Sequence, residues 1–316
     1  MAKKATSTTA ITSFKGFDAD LKCRGFQFEI GKSYTVEGKT VVCENGFHAV
    51  SADDPFHVWD FYPVVDDKGR LSRYASVEQS GDMDEEKTEK GTKIASAMIT
   101  IKAELTLPQF IKSAVARIVE LTKGKDDNSG YSARIGSSGN YAQIGSSGDS
   151  AQIGSSGNYA RIGSSGYSAR IGSSGNYAQI GSSGNYAQIG SSGNYARIGS
   201  SGYSARIGSS GNYAQIGSSG NYARIGSSGY SARIGSSGDS AQIGSSGNYA
   251  RIDASGKDAV IACSGSGSTV TAGEGAAICI PYHDGKRTRF AVGYVGEDGI
   301  EAGKAYRAEN GKLVEA

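Results

Sequence analysis

One isoleucine returns at every ninth residue from Ile135 to Ile261, fifteen times without a slip. An alanine sits two positions before each one, from Ala133 to Ala259, so the unit reads [N/D/Y]-[Y/S]-A-[Q/R]-I-G-S-S-G. A strict period of this length signals stacked repeats and has to be recognised before any local assignment. In a strand, Ala and Ile two apart point to one side, and the [Y/S] and [Q/R] residues point to the other. The GSSG that follows reads as a turn, with glycines that permit positive φ and serines that bond local backbone. One unit is then a short strand and a corner. Two units make an 18-residue coil with two parallel sheets, filled between by Ala and Ile.

The outward position three before each isoleucine tests the 18-residue coil. Alternate units give Tyr141, Tyr159, Tyr177, Tyr195, Tyr213, Ser231 and Tyr249 on one face. The others give Ser132, Ser150, Ser168, Tyr186, Ser204, Tyr222 and Ser240. A nine-residue coil would not segregate them, so a two-faced β-roll with a tyrosine ladder up one side is predicted. Small residues at every third position suggest collagen, but all four prolines lie outside the array and alanine breaks the glycine rule. A calcium-binding roll needs carboxylates in its turns, and here the turns read Ser-Ser. A disordered Gly/Ser linker has no need of an in-register isoleucine.

The ends read as different structures. Val270 and Cys279 continue the nine-residue phase, with Ala277 in the alanine position, giving eight coil steps from Ile135 and a rod roughly 38 Å long. Cys279 then substitutes for Ile in the core, while Cys263 falls out of phase near a turn. The tail beyond Pro281 reads as short strands joined by Asp-Gly and Asn-Gly turns, closing the last coil against end-to-end stacking. Residues 1–129 read as a small α+β head. It has several short strands, a short helix in DDPFHVWDFY capped by Asp53 or Asp54, and strands in SRYASVEQSG and KIASAMITIKAELTL. An amphipathic helix over 107–123 places Phe110, Ile111, Ala114, Ile118 and Leu121 on one side, and GKDDNSG follows as a joint. The domains are thus 1–129, 130–280 and 281–316, in a mostly β chain.

The charge is unevenly divided. Residues 130–252 hold 8 arginines against 2 aspartates and no lysine or glutamate, while the segments on either side are each slightly acidic. Beside the tyrosines run Gln143, Arg161, Gln179, Arg197, Gln215, Arg233 and Arg251. A flat cationic surface with interleaved aromatics suits a macromolecular partner, a protein first and nucleic acid second. The candidate binding residues are therefore Tyr141, Tyr159, Arg161, Tyr177, Tyr195, Arg197, Tyr213, Arg233, Tyr249 and Arg251. The competing reading is structural: stacked tyrosines and glutamine ladders stabilise solenoids by themselves.

Catalytic and metal chemistry have less to stand on. The C-x19-C-x4-H spacing of Cys23, Cys43 and His48, with His57 nearby, matches no usual zinc signature. The serines of GSSG lack a His or Lys base and are read as turn formers. No cofactor is expected. No secretory signal and no run of ~18 apolar residues is seen, so a soluble cytoplasmic protein with reduced thiols is expected, and a homo-oligomer is compatible with it.

The stretches FKGFDADLKCRGFQFEIGKSY, CENGFHA and RYASVEQSG resemble an uncharacterised family of bacterial and phage-encoded proteins. Its members carry such a head, then IGSSG-(D/N)-Y-A repeats, then a tail like VGEDGI. The resemblance spans nearly the whole chain and implies a phage or prophage origin, but it brings no activity to carry over. The expectation is a non-catalytic β-solenoid interaction or scaffold protein. One alternative is an inhibitor of a host defence system. Another is an enzyme with a nucleotide-handling, ADP-ribosyltransferase-like head, in which Arg24, His48 and Glu78 would act.

Overall fold

A computed structural model of the chain describes residues 10–316, apart from 54, 67–68, 89–90 and 123–129. From Arg134 to Cys279 the chain is a parallel β-solenoid with two nonapeptides per coil. Alternate units form two sheets. Ile135, Ile153 and Ile171 pair in register in one, and Ile144, Ile162 and Ile180 in the other. The isoleucines of both sheets meet in a single core with the alanines.

Each strand is four residues, [Q/R]-I-G-S, and the alternation puts Ile and the first serine inside. This corrects the reading of GSSG as a turn: its first glycine and first serine are strand residues. Ser164, Ser182, Ser200 and Ser218 are fully buried, small enough to sit beside isoleucine between the sheets. The corner is built from the remaining Ser-Gly and the following two residues. The [Y/S] residue lies there and not in the strand, with φ near +57° at Tyr141, Tyr159, Tyr177 and Tyr195. That left-handed backbone is uncommon for tyrosine. It turns the Tyr141 N–H to the Asn158 carbonyl of the next coil (2.9 Å), and the same bond recurs up the corner. The asparagine before it accepts from the coil above, Asn158 N–H to Asn140 Oδ1 at 2.9 Å.

The second glycine of GSSG is required by close approach. A β-carbon on Gly157, Gly175 or Gly193 would lie 1.9–2.0 Å from the carbonyl oxygen of the corresponding glycine one coil below.

At the C-terminal end the phase shifts by one. Ile261 pairs with Ile278, so Ile278 takes the core slot and Cys279 pairs with Ala262 on the outside. The turn before it is one residue shorter than in the array, which the expected role of Cys279 did not allow for. Cys263 occupies the inward serine slot, in register with Ser245, and is buried rather than near a turn. Strands Thr288–Tyr294, Ala305–Glu309 and Lys312–Glu315 then run antiparallel across the end of both sheets and close them.

The head has strands β1 (Ile11–Phe17), β2 (Lys22–Cys23), β3 (Phe26–Gln27), β4 (Ser33–Thr35), β5 (Phe47–Ser51), β6 (Arg73–Thr88) and β7 (Gly91–Leu105). β1 pairs with β5 and β6, and β7 pairs with β4, β5 and β6, so the antiparallel pairings close on themselves. A 3₁₀ turn, Pro55–His57, leads into helix α1 (Val58–Phe61), which has no side-chain cap. Asp53 binds Arg117 instead of capping, and Asp54 lies outside the described residues. Helix α2 spans Leu107–Thr122, with Phe110, Ile111, Ala114, Val115 and Ile118 buried and Leu121 half-buried. The joint after it lies outside the described residues up to Gly130.

Helix α2 lies flat on the solenoid sheet that contains Ile144. Its i, i+4 ridge of Leu107, Ile111, Val115 and Val119 runs over the outward glycines of that sheet: Leu107 at Gly217, Ile111 at Gly199, Val115 at Gly163 and Val119 at Gly145. The two spans match in length, three ridge intervals lying over four coil steps. Twelve helical residues rise about 18 Å, and four coil steps of ~4.8 Å span about 19 Å. Phe56 covers Gly181, between them, and Trp59 shares Gly199 with Ile111. On the opposite sheet the equivalent Gly154, Gly172, Gly190, Gly208 and Gly226 have nothing within 4 Å of an added β-carbon.

The same substitution therefore has opposite consequences on the two faces. A β-carbon on Gly181 would lie 2.3 Å from Phe56 Cζ, and one on Gly190 would meet nothing. Gly181→Ala is expected to cost about 1–3 kcal/mol in urea unfolding, and Gly190→Ala to stay within about 0.5 kcal/mol of the parent.

Candidate functional site

The tyrosines predicted as a ladder do stack. Tyr141, Tyr159, Tyr177, Tyr195 and Tyr213 follow one another at 4.9–5.1 Å with rings within 13° of parallel. Tyr213 continues through Tyr230, at the first corner position, to Tyr249. The other corner is not a serine side. Where its second position is serine, the first is Tyr131, Tyr167 or Tyr203 or one of the aspartates Asp149 and Asp239, and Tyr167, Tyr186, Tyr203 and Tyr222 form a zigzag of their own at 5.2–6.0 Å. Both corners are aromatic, and both ladders sit at edges of the solenoid rather than on a face.

The arginines predicted beside the first ladder do not form an open binding face. Arg161 is 4% exposed and Gln179 2% exposed, both beneath the head. Asp60 of α1 gathers them: it accepts from Gln179 Nε2 at 2.9 Å and from Arg197 Nη1 at 2.6 Å, and Arg161 Nη2 lies 3.9 Å away. His57 Nδ1 is 2.9 Å from the other Asp60 oxygen. Burial pushes the Asp60 carboxyl up, but the hydrogen bonds from His57 and Arg197 outweigh it and hold it below its ordinary value. Arg161 and Arg197 are thus interface residues that bind this chain's own head. Arg233 is half-buried and Arg251 exposed at the far end of the same sheet.

The open ranks are on the opposite sheet, which the charge reading passed over. Arg134, Gln152, Arg170, Gln188, Arg206, Arg224 and Gln242 form one exposed rank, beside the uncovered glycines. Together they line a shallow trough of about 1280 Å³. Arg206 and Arg224 are directly in register on adjacent strands, and among the described residues neither has an acidic partner. Like charges placed opposite each other on a sheet are destabilising. Next to them Tyr186, Tyr203 and Tyr222 wall a niche of about 540 Å³. No signal in the nonapeptide distinguishes this sheet from the covered one, because both carry the same strand.

The head holds a second concavity, of about 450 Å³. Lys15 of β1 reaches it from an inward position between Ser13 and Phe17, and its ammonium donates to the His48 carbonyl at 2.7 Å. That inward lysine in an alternating strand was the available sequence signal. Burial pulls the Lys15 pKa down. His48 Nε2 accepts the Cys43 backbone N–H at 2.8 Å, so the imidazole ties the loop before β5. Burial, then Lys15, Lys93 and Arg24, push its pKa down to about 4, keeping it neutral at neutral pH. Cys23 hydrogen-bonds the Tyr62 hydroxyl, and Lys93 Nζ donates to Cys43 Sγ at 2.8 Å. Arg24 and Cys43 hold positive φ, 49° and 70°. The structure therefore brings Cys23, Arg24, Cys43 and His48 together, but Glu78 pairs with Lys102 away from the cavity and His57 belongs to the solenoid interface. Among the described residues no group of three His, Cys, Asp or Glu could hold a metal ion. No described helix is long and apolar enough to cross a membrane.

Residues 11–113 are similar to a family whose model is described as a domain of unknown function (DUF7666). The match begins at β1, takes in the cavity and α1, and ends within α2, before the solenoid. No curated protein and no solved structure matches the chain.

At the far end of the covered sheet, Asp253 stands in a glycine position, opposite Gly235 and beneath the head loop at Gly69. Burial, reinforced by Asp66 and opposed by Arg70, raises its pKa from 3.8 to about 6. The folded state then binds a proton that the unfolded state has released between those values, so stability falls as pH rises through that window and is level above it. Asp253→Asn should raise unfolding stability by about 1–3 kcal/mol at pH 8 and leave it unchanged below pH 4, read from urea midpoints at both pH values.

Proposed function

We propose that the protein is a non-catalytic interaction module whose open solenoid sheet takes an amphipathic helix of a protein partner, with acidic side chains along one flank. One observation carries this reading: the same [Q/R]-I-G-S strands on the opposite sheet already hold a helix. There, an apolar i, i+4 ridge lies on the glycine rank and Asp60 neutralises Arg161 and Arg197. The open sheet repeats the glycine rank at the same spacing and carries Arg170, Arg206 and Arg224 in place of the buried arginines. Its chemistry asks for the same two components, an apolar ridge and carboxylates. The tyrosine ladders at the corners then act as stiffeners that keep the glycine spacing constant over the length of a helix, with Tyr203 and Tyr222 walling the niche beside the Arg206–Arg224 pair.

The expected partner is read by its contact point. With a photo-crosslinking residue at Gly190 or Gly208, a partner protein should attach to the open sheet, and Arg206→Gln with Arg224→Gln should cut that attachment by about tenfold or more while the unfolding midpoint stays or rises. Attachment undiminished in the double variant would remove the basis of the reading. So would tight, salt-sensitive binding of a single-stranded oligonucleotide that competes for the same crosslink, since that would make the sheet a nucleic-acid surface.

A further inference from the structure

The head cavity is independent of the solenoid sheets, and its lining is one-sided in charge. Three cations converge on it from three elements: Lys15 from β1, Arg24 from the turn between β2 and β3, and Lys93 from β7. Among the described residues, Glu44 is the only carboxylate that lines it and Arg24 has no acidic partner. Lys93 has a partner, Glu86 at 3.4 Å, outside the lining. Lys15 is 3% exposed, donates to the His48 carbonyl and lies against the Cys23 side chain, and among the described residues no carboxylate pairs with it. A buried ammonium with no carboxylate beside it is costly unless something pairs with it.

The walls are aromatic. Phe26 and Phe61 stand at the mouth, 46% and 41% exposed, where large apolar side chains are otherwise few on the head. Phe28 and Phe47 continue the wall inward, with Phe26 4.7 Å from Phe28 and 6.0 Å from Phe47 between ring centres. Lys15 Nζ lies 5.2 Å from the Phe28 ring centre, and Lys93 Nζ 4.7 Å from that of Phe61. Cation and ring alternate, so a flat body seated between Phe26 and Phe61 would bring an acidic group against Arg24 and Lys93. The volume falls in the usual range of small-ligand sites, about 300–1,000 Å³. The backbone also points to a built site. Arg24 and Cys43 both hold left-handed φ on the two loops that frame it, a conformation that clusters at ligand clamps. Gly16 leaves room for Tyr62, whose β-carbon would otherwise lie 2.4 Å from a side chain there.

We propose that this cavity binds a small organic anion with a flat apolar body, its carboxylate or phosphate held by Arg24, Lys93 and Lys15 and its ring clasped by Phe26 and Phe61. The neutral His48 shapes the loop that carries Cys43 and takes no charge of its own. A nucleoside monophosphate and an aromatic carboxylate share this chemistry.

The test uses the full chain and the fluorescent anion 1-anilinonaphthalene-8-sulfonate as probe. The protein should bind it at one saturable site. Arg24→Asn, which removes the charge but keeps a residue at ease with positive φ, and Phe26→Ala should each weaken binding about tenfold or more. Both positions are exposed, so unfolding midpoints should hold. Adenosine monophosphate or 2-naphthoate should displace the probe and neutral adenosine should not; whichever anion competes assigns the source. Arg206→Gln with Arg224→Gln should leave binding unchanged, which separates this site from the open sheet. Probe affinity indifferent to both head variants, displacement by adenosine as readily as by the anions, or displacement by neither anion would overturn the proposal.

Discussion

At the second glycine of each GSSG, one coil passes so near the next that a β-carbon from Gly148 to Gly265 would sit 1.8–2.2 Å from a carbonyl oxygen one coil below. Only glycine allows that approach, and it repeats at every corner. It locks successive coils into identical register, which lets identical side chains stack: asparagine amide to backbone N–H, tyrosine on tyrosine, isoleucine on isoleucine. Everything else in the molecule inherits the resulting spacing. The core is thin, one rank of isoleucines from each sheet with alanines and buried serine hydroxyls, so the ladders have to contribute what apolar burial does not.

The same spacing makes the solenoid a docking surface. The outward strand glycines form a groove that receives a helix ridge, and α2 occupies four coil steps of it with three ridge intervals, Phe56 filling the position at Gly181 that the ridge passes over. Charge fixes the placement. Asp60 reaches Arg197, Gln179 and Arg161 at a single point, beneath apolar contacts from Phe56 and Trp59. Removing that carboxylate would take from the largely buried Arg197 guanidinium the ion pair it makes at 2.6 Å, a larger loss than any surface pair represents. Among the described residues, the opposite sheet shows the same groove without a helix and arginines in the same strand position without a carboxylate.

The solenoid was legible because each of its signals is periodic. Ile and Ala every nine residues fix the core, and the parity of tyrosine and serine fixes the 18-residue coil. The closing strands after Pro281 and helix 107–122 were legible for the same reason, from turn residues and from a 3.6-residue apolar stripe. What the sequence hid is local geometry inside the unit and everything non-local. A strand [Q/R]-I-G-S and a strand ending at Ile differ only in whether one serine is inside, and serine has no strong preference. The one-residue shift that puts Ile278 in the core was masked by Cys279 standing in phase. Which sheet the head covers could not be read at all. Both sheets carry the same strands, and the deciding contact joins Asp60 to Gln179, 119 residues away. Of the head cavity, Cys23, Arg24, Cys43 and His48 were visible as chemistry-bearing residues, but Lys93 joins them only through strand pairing and Tyr62 only through the placement of α1.

The two-faced arrangement is tested most directly by labelling the arginines of the native protein with phenylglyoxal. A modified arginine blocks tryptic cleavage, and the uneven spacing of arginines in the array gives Arg161, Arg170, Arg197, Arg206 and Arg224 fragments of distinct sequence. Arg170, Arg206 and Arg224 should react in the folded protein, while Arg161 and Arg197 stay protected until it is unfolded. Reaction of Arg161 and Arg197 at the same rate as Arg206 and Arg224 in the folded state would contradict the account, because the head could not then be seated on the covered sheet.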